Sequence, residues 1–340
     1  MKFARSLTTY KADKEVSVGK DEKTKRIALI YNPSSGNRRE RRLQDILTVR
    51  STIQSQGHEA FVIPTRTAGS AGDQTREAIA AGYDTIFACG GDGTVNEVLQ
   101  GIVNTDAVLG VIPLGTANCL ANDLGLALHP AKAAEELLSM QPRSVAVGVL
   151  EYGGDAGAAH RRYFTVAAGI GVDAELMSKT STELKKKFGF LAYGMRGAEL
   201  YARGNFPMFS VTYTDAITRE RKSEVASQVI VARIGYFGAL LKNFVPGASL
   251  TKNYAQIVIF KTASRLKYLC YVLDAFRGRL VPGADVVFAP ALDLSCAPPL
   301  GMSNEAIHIE ADGDLMGSLP AKISMLPGAL RLLMSPRKEV

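Results

Sequence analysis

The sequence predicts an α/β domain with a mostly parallel sheet, followed by a second domain of the β-sandwich type. Up to Pro142, short apolar runs alternate with helical patterns, and this alternation favours a parallel sheet covered by helices. After Pro142, strand patterns follow one another with few helices between them, which is typical of a β-sandwich. The chain has 340 residues, 46% of them hydrophobic, and is long enough for two domains.

In the first half, each predicted strand is followed by a turn and a helix. The strands are apolar runs at residues 26–31, 58–63, 85–88 and 108–112. Helices are predicted at residues 38–56, 75–81 and 94–103, and another begins after Thr116. Because three polar or glycine-rich turns follow strands, we expect them at the carboxyl edge of the sheet, where open α/β sheets bind ligands.

The second half is predicted to be mainly strands. They are expected at residues 145–149, 163–168, 209–213, 227–234, 255–260, 285–289 and 307–310, with helices at 183–202 and 265–276. A strand-like run at 322–334 is predicted to return to the first domain. The predicted organisation is a flexible leader at 1–24, the α/β domain at 25–143, the β-rich domain at 144–321 and a returning segment at 322–340.

Composition and charge exclude several classes of protein. The formal net charge of +7 suggests an anionic partner such as a nucleotide or a membrane surface. There is no zinc-finger spacing, RNP-type aromatic motif or arginine-rich tract, so we expect no nucleic-acid partner. The four cysteines lack a C-x-x-C pair, which favours a reduced compartment. Because neither a signal peptide nor an apolar run of about 20 residues is present, a soluble cytoplasmic protein is expected.

The most informative stretch is the glycine-rich turn from Gly90 to Glu97. Glycines let the backbone turn sharply near a bulky ligand, and the following helix directs its first amides at an anion such as phosphate. The turn lacks the Gly-Lys-Ser/Thr ending of a P-loop and has Asp92 instead. A Mg²⁺ between Asp92 and the phosphates would explain this carboxylate. The structural alternative is a capping box formed by Thr94 and Glu97, with Asp92 interacting with the helix dipole.

Two further turns share this position after a strand. Asn-Pro-Ser-Ser-Gly occupies residues 32–36, and Pro-Leu-Gly-Thr-Ala-Asn occupies residues 113–118. Each can be explained as a simple turn with a helix N-cap. Their place at the ends of strands also fits a ligand site.

The string Gly-Gly-Asp-Gly-Thr-x-Asn-Glu at 90–97 resembles the nucleotide loop of the diacylglycerol kinase catalytic-domain superfamily. This superfamily includes bacterial lipid kinases, sphingosine kinases and ceramide kinases, with NAD kinases as more distant relatives. The strings at 32–36, 113–118 and 169–174 resemble other family motifs in the same order. The resemblance implies that ATP is bound by Asn32, Pro33, Ser34, Ser35, Gly36, Thr65, Gly91, Asp92, Gly93, Thr94, Val95, Asn96, Glu97 and Thr116. Thr67 competes with Thr65 for its role.

The resemblance also implies Mg²⁺, held by Asp92 with Asp123 as a second candidate ligand. Diacylglycerol kinases usually have Asp after the asparagine at 118, and this chain has Cys119. Asp123 lies four residues later on the same helix face, so it could replace that carboxylate or be merely solvated. Bacterial members carry another Mg²⁺ site in the second domain. Asn253 replaces its Asp here, so we expect that site to be weak or absent.

The stretch from Glu310 to Asp314 resembles the family's Asp-Gly-Glu string, whose last carboxylate is the proposed general base. The resemblance therefore assigns Asp314 as the base, with Asp92 as the other catalytic residue. Asp314 is one methylene shorter than Glu, which leaves Asp312 as a rival. An Asp-Gly-Asp string is also a common hairpin tip.

Together, the motifs imply a lipid kinase that phosphorylates the hydroxyl of a diacylglycerol-like lipid with ATP at a cleft between two domains. The alternatives are a sphingoid-base or ceramide kinase, an NAD kinase, and a catalytically inactive lipid-binding protein. The last is suggested because Cys119, Asn253 and Asp314 depart from the family pattern. The sequence does not fix the oligomeric state, and a homodimer is one candidate.

Two clusters mix cations with apolar residues. Lys185 is followed by Phe188 and Phe190, and Arg265 by Tyr268. A charge run usually forms a solvated face, but in a lipid-using enzyme such clusters suit docking on anionic headgroups. The sequence therefore predicts peripheral association with an anionic membrane that presents the lipid substrate.

Overall fold

The computed structural model describes residues 24–36, 41–153, 159–172, 206–237, 241–242, 244–299 and 307–335. Three predicted features lie outside the described residues. They are the leader before residue 24, the helix at 183–202 with its cluster at 185–190, and Asp173 of the glycine-rich string.

The first half is a parallel sheet covered by helices. Its elements are β1 (Arg26–Tyr31), α1 (Arg42–Ser55), β2 (Glu59–Pro64), α2 (Ala71–Ala80), β3 (Thr85–Gly90), α3 (Asp92–Ile102), β4 (Val108–Pro113), α4 (Cys119–Asp123) and α5 (Pro130–Ser139). The strands lie side by side in the order β2-β1-β3-β4, and all of these pairs are parallel. Every residue of β3 and β4 is buried, as expected for strands with helices on both faces.

The second half is built mainly from antiparallel strands. They are β5 (Gln141–Tyr152), β6 (His160–Phe164), β7 (Ala167–Gly171), β8 (Phe209–Asp215), β9 (Arg221–Ala226), β10 (Gln228–Ala232), β11 (Tyr236–Phe237), β12 (Leu241–Lys242), β13 (Ala255–Phe260), β14 (Val286–Ala297), β15 (His308–Ala311), β16 (Asp314–Ser318) and β17 (Ala321–Met334). A helix, α6 (Arg265–Phe276), connects β13 to β14. Its bounds are those predicted from the sequence.

The long strand β17 joins the two halves. Its first residues pair antiparallel with β14, most of its length pairs with β5, and Arg331 and Leu332 pair in parallel with β4. The pairing with β5 shifts register between Leu326 and Leu330. The strand thus connects the first sheet to the antiparallel strands, although separate hydrophobic cores lie under the two halves.

The structure differs from the sequence prediction at several elements, among them the strand at 163–168, β9 and α5. The strand predicted at 163–168 is interrupted at Thr165 and Val166, whose amides bind a side chain instead of a neighbouring strand. Strand β9 was missed because its residues alternate between exposed and partly buried polar side chains. Helix α5 was missed although it has a proline in its first turn, a common helix start.

Candidate active site

The three predicted loops meet at one edge of the parallel sheet. Each follows the carboxyl end of β1, β3 or β4, and these strands are neighbours. The backbone amide of Asn32 donates to the carbonyl of Cys89 (3.2 Å), and that of Leu114 donates to Gly90 (2.9 Å). Because the loops are joined at their first residues, they form a continuous surface of backbone and small side chains.

Two glycines allow the second and third loops to pack directly on each other. A Cβ added to Gly115 would lie 2.5 Å from the Cα of Gly91, and one added to Gly91 would lie 3.2 Å from the Cα of Gly115. Gly93 is different, because a Cβ there would meet nothing within 4 Å. The backbone is therefore closely packed behind the loop and open around Gly93, at the start of α3.

Asp92 links the start of α3 to the start of α4. Its Oδ1 accepts a hydrogen bond from the amide of Cys119 (2.7 Å). Burial raises the pKa of Asp92, and hydrogen bonds from backbone amides, including those of Cys119, Asn118 and Leu120, oppose this rise. The backbone amide of Cys119, the residue that departs from the expected Asp, thus contacts the Asp92 carboxylate.

The first loop is held by its own polar groups. Asn32 Oδ1 accepts the amide of Ser34 (2.8 Å), which forms a tight local turn. The hydroxyl of Ser35 lies 3.4 Å from that of Thr94, and both residues are buried. Arg42 Nε donates to the carbonyl of Ser35 (2.9 Å). This loop is therefore attached to both α1 and α3.

Two other predicted ATP ligands, Glu97 and Thr116, lie in different surroundings. Glu97 accepts the amides of Gly69 (2.9 Å) and Ala71 (3.1 Å), so both of its oxygens hold the start of α2. The capping box considered for Thr94 and Glu97 is not formed, because α3 begins at Asp92 after Gly91. Thr116 is exposed on the third loop. A nucleotide-binding role for the Glu97 side chain would require it to release α2.

Asn96 is buried between the two halves of the molecule. Its Nδ2 donates to Asp312 Oδ2 (3.0 Å) and to the carbonyl of Tyr163 (3.3 Å), while its Oδ1 accepts from Arg162 Nη2. One helical turn later, Gln100 binds both the amide and the carbonyl of Tyr163 (3.0 Å each). The face of α3 that carries Asn96 and Gln100 therefore holds β6, and the polar atoms of Asn96 bind protein partners.

Asp312 is the acceptor that interrupts the predicted strand at 163–168. Its Oδ1 accepts the amides of Val166 (2.9 Å) and Ala167 (3.0 Å), and its Oδ2 accepts that of Thr165 (3.0 Å) as well as Asn96 Nδ2. Burial raises the pKa of Asp312, and these four hydrogen bonds oppose the rise. Both oxygens of Asp312 are thus committed to structure.

Asp314 faces a different environment two residues later. Asp312 and Gly313 have positive φ angles of 48° and 87° and form a two-residue hairpin turn between β15 and β16. Asp314 is the first residue of β16, and 52% of its side chain is exposed. Its Oδ2 lies 3.8 Å from Arg162 Nη2. The two rival carboxylates therefore differ sharply, because the oxygens of Asp312 already accept four hydrogen bonds whereas the side chain of Asp314 is accessible.

Asp123, the second predicted metal ligand, contacts the second half of the chain. Its Oδ1 accepts the amide of Gly235 (3.2 Å), which lies between β10 and β11. Within the described part of the chain, no group of three or more His, Cys, Asp or Glu side chains could hold a metal ion. Asn253 marks the other Mg²⁺ site considered from the sequence, in the second half of the chain. Next to it, the ammonium group of Lys252 donates to the carbonyl oxygen of Gly247 (3.1 Å).

Helix α6 corrects one part of the predicted membrane surface. Tyr268 does not point outward: its hydroxyl bonds Gln228 Oε1, and its ring packs on Phe260 and Phe206. The outward face instead carries Leu266 (65% exposed), Leu269 (37%) and Leu273 (42%). Among the residues that the structure describes, no helix has the length and apolar character needed to cross a membrane.

Sequence reasoning missed two residues of this site, Gln100 and Arg162. Gln100 lies four residues after Asn96, so the helical period places both on one face of α3 and could have identified it. Arg162 gave no signal of this kind, because its partner Asn96 lies 66 residues earlier in the chain.

Comparison with known proteins gives a consistent result along the chain. The model of the diacylglycerol kinase catalytic domain matches residues 26–150, and that of the YegS C-terminal NAD kinase beta sandwich-like domain matches residues 165–334. A diacylglycerol kinase of Bacillus subtilis (strain 168) is 28% identical over 324 residues, which cover 92% of this chain and 98% of that protein.

Two solved structures share the fold. A diacylglycerol kinase from Bacillus anthracis str. Sterne aligns with a TM-score of 0.65 at 19% identity, covering 92% of this chain and 98% of that one. Yeast NADH kinase complexed with NADH aligns with a TM-score of 0.51 at 9% identity, covering 92% and 84%. The predicted combination of a mostly parallel α/β sheet with a β-sandwich-like second half is thereby confirmed.

Proposed function

Because the chain belongs to the diacylglycerol kinase catalytic-domain family of lipid kinases, we propose that it transfers the γ-phosphoryl group of ATP to the hydroxyl of a diacylglycerol-like lipid. The observation that carries this proposal is the position of Asp314. Asn96 and Arg162 connect this accessible carboxylate to α3, the helix that begins in the glycine-rich loop. A carboxylate beside a phosphate-binding helix is what phosphoryl transfer to an alcohol requires.

ATP is proposed to bind at the carboxyl edge of the parallel sheet. The close packing of Gly91 on Gly115 and the open space around Gly93 support this placement, because phosphates need direct access to the amides of a helix N-terminus. Ser35 and Thr94 supply hydroxyl groups where the first and second loops meet. In this proposal the phosphates contact α3 through its first turn, whereas Asn96 and Glu97 shape the site through their contacts with Asp312 and α2.

The residues present fit a Mg²⁺ ion held jointly with the nucleotide. Asp92 is a largely buried carboxylate whose hydrogen bonds come from backbone amides, and a divalent cation would offset its cost of ionisation. Mg²⁺ commonly binds through one or two carboxylates plus phosphate oxygens and water. Bound there, it would neutralise charge on the phosphates. Asp92 is the proposed ligand, and Asp123 remains secondary since it accepts the Gly235 amide.

The proposed general base is Asp314. Its carboxylate accepts the proton of the lipid hydroxyl while the hydroxyl oxygen forms a bond to the γ-phosphorus. The bond from that phosphorus to the β–γ bridging oxygen breaks, and ADP leaves. Asp312 is unsuited to this task because four donors already occupy its oxygens. The exposed half of Asp314 can approach an incoming hydroxyl.

We further propose that the enzyme is cytoplasmic and meets its lipid at an anionic membrane through α6. Leu266, Leu269 and Leu273 recur at helical spacing on the outward face. Arg265 begins the helix, and exposed Arg277 and Arg279 follow its last turn. An apolar stripe with cations at its ends complements a surface of acyl chains and anionic headgroups.

A kinase assay with a panel of acceptors tests the function. The purified chain is incubated with γ-labelled ATP and Mg²⁺, and with diacylglycerol, a sphingoid base or ceramide in identical mixed micelles, or with NAD in solution. We expect label in diacylglycerol at a rate at least about tenfold above the other acceptors. Labelling of NAD alone would establish an NAD kinase, and no transfer to any acceptor would contradict the proposal.

A further inference from the structure

Arg162 is placed at an energetic cost that the fold alone does not explain. Three quarters of its side chain is buried, since 25% remains exposed. Among the described residues, its Nε has no hydrogen-bond acceptor. Its Nη2 donates to a neutral amide oxygen of Asn96, and its carboxylate neighbour, Asp314, lies 3.8 Å away. Leaving a buried donor such as this Nε unsatisfied costs free energy, and in a native structure such a donor calls for an explanation.

The two contacts of Arg162 link the nucleotide half of the site to the base. Asn96 lies four residues after Asp92 on α3, which is about 6 Å along the helix axis at a rise of about 1.5 Å per residue. Asn96 is itself fixed by Asp312 and by the carbonyl of Tyr163. Arg162 is thus anchored to a rigid group within about one helical turn of the proposed phosphate site.

Asp314 is the carboxylate that this anchored guanidinium faces. It follows Gly313 in a hairpin turn, and its side chain is about half exposed, so the backbone alone does not restrict its rotamers. A fixed guanidinium attracts a nearby carboxylate and so limits the orientations that the carboxylate adopts. We propose that Arg162 is the positioning residue that orients Asp314 towards the acceptor hydroxyl, relative to the nucleotide bound at α3. This inference rests on the proposed function.

The neighbouring Arg161 provides a matched control. Successive residues of a strand point to opposite faces, and the Arg161 guanidinium lies over the ring of Tyr163, 5.3 Å from its centroid. It carries the same charge on the same strand, yet it is exposed, and it is Arg162 whose guanidinium donates to Asn96. Replacing Arg161 therefore changes the net charge without disturbing the link to Asp314.

A double-mutant cycle tests whether Arg162 acts through Asp314. Turnover numbers with saturating ATP and diacylglycerol are measured for Arg162→Met, Arg162→Lys and Arg161→Met, each in the wild-type and the Asp314→Asn background. We expect Arg162→Met to lower kcat about tenfold in the wild-type background and by less than about threefold in Asp314→Asn. Arg162→Lys should retain about a third of the turnover, and Arg161→Met nearly all of it. The KM for ATP should change by no more than about twofold.

The outcomes separate this inference from the proposed function. If Arg162→Met lowers kcat by the same factor in both backgrounds, Arg162 does not act through Asp314 and the inference is wrong. If the wild-type chain transfers no phosphoryl group, or if Asp314→Asn is fully active, the function or the base assignment fails instead. If Arg162→Met has a lower thermal midpoint than wild type, the Arg162→Lys cycle is used instead. A smaller effect of Arg162→Lys on kcat in Asp314→Asn than in wild type then supports the inference, and an equal effect contradicts it.

Discussion

At the residue scale, the proposed chemistry depends on three aspartates in different surroundings. Asp92 receives backbone amides at the junction of two helices, Asp312 is saturated by four donors, and Asp314 is accessible beside Arg162. In the proposed function, the same residue type thus serves a metal, the backbone or a substrate according to what surrounds it. Each assignment can be tested by exchanging the carboxylate for an amide of the same shape.

Asp92→Asn should lower the turnover number by at least about 10²-fold, because it removes the charge proposed to hold Mg²⁺ against the phosphates. The fold should persist, since the amide oxygen can still accept the amide of Cys119. Kinase assays and circular dichroism measure the two effects. Asp73→Asn is the control, since Asp73 is also in the first turn of a helix but is 70% exposed. Near-normal turnover of a folded Asp92→Asn protein would refute the assignment.

Asp312→Asn should instead destabilise the protein. One carboxylate oxygen becomes an NH₂ group that faces backbone amides of Thr165, Val166 or Ala167, so donors oppose donors. Leaving such buried groups unsatisfied costs about 1–3 kcal/mol of the free energy of unfolding. Urea denaturation measures the loss. Asp314→Asn is the comparison and should stay within about 0.5 kcal/mol of wild type, as expected for an accessible side chain. Equal stability of the two variants would show that Asp312 does not hold the interrupted strand.

Residue roles were only partly predictable from the sequence. The candidate base was found through its resemblance to a family string, and Asp314 does lie at an accessible hairpin end. The surroundings that distinguish it from Asp312 were not readable, because Asp312 contacts Asn96 from 216 residues away. For the same reason Asn96 and Glu97 were expected to face ATP, whereas their side chains bind protein groups.

At the element scale, α3 contributes to the candidate site through its first turn and through its polar side chains. Its first turn lies in the glycine-rich loop, Glu97 holds the start of α2, and Asn96 and Gln100 hold β6. The sequence predicted this helix from its apolar face, which is the buried one. The contacts of its polar side chains with β6 and α2 could not be predicted, because hydrophobic periodicity identifies only the apolar face of a helix.

Helix α6 should bind vesicles through its leucines. Replacing Leu266 and Leu273 with serine removes apolar surface that would enter the membrane interface, so the affinity for anionic vesicles should fall at least about tenfold. Sedimentation with phosphatidylglycerol-containing vesicles measures this, and binding should weaken with salt. Ile217→Ser is the control, because Ile217 is 75% exposed in the turn between β8 and β9. Unchanged binding of the double variant, or equal binding to neutral vesicles, would contradict the docking surface.

At the scale of the whole molecule, the two halves are connected by β17 and by the face of α3. The return of residues 322–334 could be predicted as a strand from its apolar run, and β17 does pair with β4. The antiparallel order of the second half could not, because alternating patterns identify strands without naming their neighbours. These pairings set the β15–β16 hairpin against β7, and they bring Asp312 to Asn96 and Asp314 to Arg162.

The most direct test of the central claim is the rate of phosphoryl transfer from ATP to diacylglycerol by wild type and by Asp314→Asn. Because Asp314 is proposed to take the proton of the acceptor and not to touch ATP, its replacement should lower kcat by at least about 10²-fold and leave the affinity for ATP unchanged. Asp314→Glu should keep measurable turnover. Wild-type rates for Asp314→Asn, or complete loss of activity in Asp312→Asn with its fold intact, would contradict a base at Asp314.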